Sequence, residues 1–131
     1  MAAPVSTLQV VYDNVRNCVV KATFISGGAD QAITTLVDVS ALTPPAGLHL
    51  KVWRIEYDVK SQDGVVRLYW DAPPTPVDML DLQRADHQDY RRFGGLTNNG
   101  GANATGDILI STQGFTLNDS YTVVLEMVKG V

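Results

Sequence analysis

Apolar residues recur at every second position of this chain, in short runs cut by glycine, proline and asparagine. No other feature constrains its fold as much. Side chains alternate faces along a strand, so a period of two means one covered face and one solvated face. The clearest run is Asn17–Ile25, where Cys18, Val20, Ala22 and Phe24 share one parity. The last run, Ser120 to Lys129, puts Tyr121, Val123, Leu125 and Met127 on one side. Its other parity carries Val124 and Val128, which suits a central strand.

The remaining runs follow the same rule. Thr7–Tyr12 is the first, and Ala32–Val39 follows with Ile33, Thr35, Val37 and Val39 on one face. The break Thr43-Pro44-Pro45-Ala46-Gly47 cannot feed a ladder, because proline has no N–H. The longest run, Leu48–Val59, changes parity. Leu48, Leu50 and Val52 lie on one phase, and Trp53, Ile55, Tyr57 and Val59 on the next. That phase change predicts a bulge near Val52-Trp53. Asp63-Gly64 then predicts a tight hairpin that returns Val65–Trp70 antiparallel onto the longest run. On that reading Trp53, Tyr57, Tyr69 and Trp70 form core or cross-strand pairs.

Ala72-Pro73-Pro74-Thr75-Pro76 makes a stiff break, and Val77–Leu82 is open between a strand and a helical turn. The stretch 97–106 has few large side chains and reads as a long loop. Asp107–Thr112 supplies another strand, with Ile108 and Ile110 on one face. No helix-period segment exceeds a turn or two. About eight strands at this spacing predict an all-β, antiparallel β-sandwich with little or no helix. At 131 residues the chain suits a single domain over 1–131. Residues 1–7, small and apolar around Pro4, read as an extended N-terminal arm.

Charge removes several function classes. The net charge of −4 offers no basic footprint for nucleic acid. No apolar run approaches the ~20 residues of a membrane-spanning helix. The start Met1-Ala2-Ala3-Pro4-Val5 lacks a basic region followed by an apolar core, so no secretory signal is expected. Cys18 is the one cysteine. It has no partner for a disulfide within the chain, and its parity places it in the core.

Catalytic and metal constellations are not recognisable, and no cofactor is expected. His87 sits in Asp86-His87-Gln88-Asp89, a polar surface segment without a nucleophile or oxyanion partner. Asp78, Asp81, Asp86 and Asp89 match no EF-hand loop, and they read as a solvated face paired with Arg84, Arg91 and Arg92. Binding chemistry is easier to find. Tyr90-Arg91-Arg92-Phe93 joins aromatics to arginines, the residue types that dominate interface hot spots. It reads equally as a plain strand with alternating faces. Trp53 or Trp70, if exposed, would instead suit a carbohydrate platform.

Three segments carry a family resemblance. Val66-Arg67-Leu68-Tyr69-Trp70-Asp71-Ala72, Phe93-Gly94-Gly95-Leu96-Thr97-Asn98-Asn99 and Thr105-Gly106-Asp107-Ile108-Leu109 resemble small structural proteins of tailed bacteriophages, as does the ending Met127–Val131. Some small all-β members of this kind are jelly-roll decoration, or cement, proteins. The resemblance implies a jelly-roll-like sandwich bound to the outside of a capsid shell. It implies the major capsid protein as partner, a homo-oligomeric state (dimer or trimer), and a location on the virion after synthesis in the bacterial cytoplasm. A tail or neck component is the alternative from the same context. The contact residues expected are Arg84, Tyr90, Arg91, Arg92 and Phe93, with Asn98, Asn99 and Asn103 in the loop and Pro4 and Val5 in the arm.

Overall fold

The computed structural model describes residues 4–42 and 50–129. The described residues form nine strands, one of them in the charged stretch Ala85–Asp89, which the sequence marks as a polar surface segment. These are β1 (Val5–Asp13), β2 (Asn17–Ile25), β3 (Thr34–Val37), β4 (Lys51–Lys60), β5 (Val65–Trp70), β6 (Val77–Leu82), β7 (Ala85–Asp89), β8 (Ile108–Gln113) and β9 (Ser120–Val128). They form two antiparallel sheets, ordered β1-β2-β9-β4-β7 and β3-β8-β5-β6. Apart from β1, four strands face four, and every connection after β2 changes sheet except β5 to β6. This is a jelly roll, with β1 added beside β2.

The alternation of the sequence is visible as burial. Cys18, Val20, Ala22 and Phe24 of β2 face inward, and so do Tyr121, Val123, Leu125 and Met127 of β9. Strand β9 is central, as its two apolar parities suggest, although Val124 and Val128 on its outer face are only half-buried. From the other sheet, Val66, Leu68 and Trp70 of β5 and Ile108 and Ile110 of β8 complete the core. Each such side chain removed from water contributes about 1.5–3 kcal/mol. Phe24 stacks on Tyr121 with ring centroids 5.6 Å apart, and Phe115 closes that end of the core.

The bulge expected near Val52-Trp53 is present as a register shift between Val52 and Arg54. The hairpin expected at Asp63-Gly64 is not. Strand β4 pairs with β7 and β9, whereas β5 pairs with β6 and β8. The turn carries the chain from one sheet to the other, so Trp53 and Tyr57 are not cross-strand partners of Tyr69 and Trp70. Gly64 answers a steric need instead, because a Cβ there would lie 2.5 Å from Phe115 Cδ1. Ser61 Oγ accepts the Gly64 N–H at 2.9 Å and donates to Asp119 Oδ2 at 2.7 Å, which fixes the corner.

Strand β3 also departs from its pattern. Ile33 and Thr35 are exposed while Leu36, Val37 and Val39 are buried, because the register slips between Thr35 and Val37. Val39 lies beyond the strand in a 3-10 turn capped by Asp38. Val77–Leu82 is a strand. Of the arm expected over 1–7, residues 1–3 lie outside the described residues. Val5 to Thr7 are already paired with Ile25 to Thr23, so this part is strand and not a free arm. The proline break at 43–47, with Leu48 and His49, also lies outside the described residues.

Candidate interaction surface

Strand β7 forms one edge of the five-stranded sheet and lies along β4 from Arg54↔Asp89 to Asp58↔Ala85. Arg84 enters it with φ of 63°, and its carbonyl accepts the Val59 N–H at 2.7 Å. Past Asp89, Tyr90 donates its N–H to the Trp53 carbonyl at 2.7 Å. Arg91–Phe93 then makes a 3-10 turn ended by Gly94 in the left-handed region, φ 79°. Gly95, φ 106°, donates back to the Tyr90 carbonyl at 2.9 Å. Leu96 exchanges both backbone hydrogen bonds with Val52, at 2.7 and 3.1 Å. The turn is therefore clamped to the bulged part of β4 at both ends. Val52 and Trp53, at the bulge, supply the backbone groups that hold it.

Phe93 sits at the tip and is 80% exposed, more than any other large apolar side chain among the described residues. Arg92 beside it is exposed and makes no ion pair among the described residues. Arg91 is engaged. Its guanidinium and backbone N–H all donate to Asp89, with the shortest bond at 2.6 Å. The Arg91 side chain, then its N–H, holds the Asp89 carboxyl down to about 2. This pair stays charged at any ordinary pH and stiffens the base of the turn. Tyr90 is partly buried, and that burial raises its hydroxyl pKa.

The segment after Leu96 runs against the end of β5. Thr105 donates its N–H to the Asp71 carbonyl at 3.0 Å and its hydroxyl to Asp71 Oδ2 at 2.9 Å. Asn98 Oδ1 accepts from Gly100 N–H at 2.7 Å, and its buried Nδ2 has no hydrogen-bond partner among the described residues. Asn99 and Asn103 are exposed, the latter in a second 3-10 turn over Gly101–Asn103. Asn98 is thus a loop-shaping residue, and Asn99 and Asn103 are the ones that face outward.

No family model, curated protein or solved structure matches this chain.

The expected contact residues fall in two places. Arg84, Tyr90, Arg91, Arg92 and Phe93 lie along β7 and its turn, while Val5 begins β1 at the opposite edge, with Pro4 just before it. The acidic group also divides. Asp78 and Asp81 belong to β6 in one sheet, and both approach Arg67, at 3.8 and 2.9 Å. Asp86 and Asp89 belong to β7 in the other sheet. The pairing expected with Arg84 and Arg92 is absent from the described ion pairs, and Arg91–Asp89 alone of that set is formed. His87 is exposed, with Nδ1 at 3.7 Å from Asp86 Oδ1. It borders a shallow hollow of about 420 Å³ walled by Glu56, Asp58 and Asp86. Trp70 is 1% exposed and Trp53 half-buried, so Trp70 offers no sugar platform.

One surface went unmarked in the sequence. Leu8, Val10, Val11 and Tyr12 are each about half exposed on β1, beside a groove of about 540 Å³ that opens between β1 and β3. Ser6, Leu8, Phe24 and Leu36 line that groove. The residues show an uncharged strand, with no charge from Val5 to Tyr12, but not that it lies at an edge.

Proposed function

We propose that this chain is a virion structural protein of a tailed bacteriophage. It binds the outside of the capsid shell, bridges neighbouring major capsid subunits and acts by contact, not by catalysis. The observation that carries the reading is Phe93, fully presented beside Arg92 on a turn held at both ends by β4. An exposed aromatic next to an uncommitted arginine suits a docking anchor, since such residues supply most of the energy of an interface. A turn fixed before binding loses little conformational freedom on docking. The jelly roll agrees with the cement-protein resemblance of 66–72, 93–99 and 105–109. Repetition over a symmetric shell multiplies modest contacts into firm attachment.

The test is co-sedimentation of the purified chain with capsid shells stripped of it. Wild-type protein should pellet with the shells, and Phe93→Glu should stay in the supernatant. Equal pelleting of the two would overturn the assignment of the docking turn. Binding of wild-type protein to tails but not shells would overturn the capsid reading in favour of a tail component.

A further inference from the structure

We infer that β1 is a homodimer edge, pairing antiparallel with β1 of a second copy to join two five-stranded sheets into one. An exposed strand edge presents a row of free N–H and C=O groups, and natural proteins guard such edges with charge, shortness or bulges. The two sheets of the described residues have four edges, and three are guarded. Strand β7 has five residues and carries Asp86, His87 and Asp89. Strand β6 carries Asp78 and Asp81. Strand β3 has four residues and a slipped register. Strand β1 is different: it has nine residues and no charge from Val5 to Tyr12. Its one irregularity falls between Val10 and Tyr12, leaving Val5 to Val10 regular.

The exposed apolar surface lies in the same place. Of the ten large apolar side chains exposed among the described residues, five are on β1. Scattered exposed apolar residues need no explanation, but a contiguous set on one strand marks a contact.

Charge and symmetry select the occupant. A paired strand must bring no unpaired charge to this edge, and β1 itself satisfies that condition. A two-fold axis normal to the sheet keeps inward residues facing inward, so partners across it share parity. Centred on Leu8, the pairing sets Leu8 against Leu8 of the partner subunit. It also sets Ser6 against the partner's Val10, and Thr7 against the partner's Gln9. Ser6, Leu8 and Val10 lie opposite Phe24, Ala22 and Val20, on the core side of the sheet. The partner's Leu8 therefore covers the open side of the groove beneath β1. On the outer face only neutral side chains meet. This edge is opposite β7, so the inference stands apart from the docking turn at Phe93.

Sedimentation equilibrium of the full chain tests it. Wild-type protein should run at twice the 14.2 kDa chain mass. Leu8→Lys should halve that mass with an unchanged circular dichroism spectrum, because Leu8 is 56% exposed and outside the core. Phe93→Glu should leave the double mass intact. Under mild oxidation Leu8→Cys should give a covalent dimer, and Val15→Cys, exposed beyond the strand, should not. A single-mass or trimeric wild type, a double-mass Leu8→Lys, or a failure of Leu8→Cys to cross-link would each overturn the proposal.

Discussion

Lys129 Nζ lies 2.5 Å from Asp13 Oδ1, and the lysine side chain is 2% exposed. The pair ties the end of β1 to the residue after β9, across β2, where Asp13 opposes Cys18 and Cys18 opposes Met127. The Lys129 N–H donates to the Arg16 carbonyl at 2.6 Å, which locks the β1–β2 turn to the same point. An edge strand with little buried surface of its own is thus fastened at one end by a buried charge pair.

Removing the lysine takes one charged partner from a largely buried carboxylate. Lys129→Met should lower stability by about 1–3 kcal/mol, the cost of losing that charged hydrogen-bond partner. Asp13→Val with Lys129→Met should cost less than the sum of the two single changes, because the two charges are in contact. Urea unfolding of the single and double variants measures both effects.

Cys18 gives the fold an alkaline limit. Burial, and secondarily the Asp13 carboxylate, pushes its thiol from 9.0 up to about 11. The unfolded chain releases this proton first as pH rises. Its contribution is therefore complete below pH 9 and is lost as pH climbs toward 11, by on the order of 2–3 kcal/mol. Cys18→Val should lack that part of the pH dependence, read from unfolding curves at pH 8 and pH 10.5. The native thiol should react with a thiol reagent only as the protein unfolds.

Gly64 is needed for space and not for a left-handed backbone, since it is absent from the positive-φ glycines. Gly64→Ala should cost about 1–3 kcal/mol through overpacking against Phe115. Gly64→Ala with Phe115→Leu should cost less than the sum of the two single changes, as expected for residues in contact. Thermal unfolding of the set of variants reads the coupling.

These sites show what the sequence discloses and what it does not. The faces of β2 and β9 and the bulge in β4 were legible, because period and parity are local properties. The destination of β5 was not. Asp63-Gly64 signals a turn, but a dipeptide does not state which sheet receives the next strand. The pairing that settles it lies with β6 and β8, strands distant in sequence from the turn. Tyr90-Arg91-Arg92-Phe93 stood out by residue type, yet its four members have different fates. Arg91 is used by Asp89, Tyr90 leans inward, and Arg92 and Phe93 are left outward. The openness of β1 was hidden for another reason. Exposure belongs to the neighbours a strand lacks, and an apolar strand looks the same in the middle of a sheet as at its edge.

The docking turn should be separable from the fold. Arg92 and Phe93 are exposed, so Arg92→Ala and Phe93→Ala should each change stability by no more than about 0.5 kcal/mol. Calorimetry checks that expectation, and shell binding of the same variants should fall.

Attachment in many copies to a capsid is read most closely from the copy number of this chain in purified virions. Quantitative mass spectrometry of the particles, with the major capsid protein as internal reference, gives it directly. A fixed ratio on the scale of the capsid subunits themselves is expected. Absence from the virion, or only a few copies per particle, would contradict it.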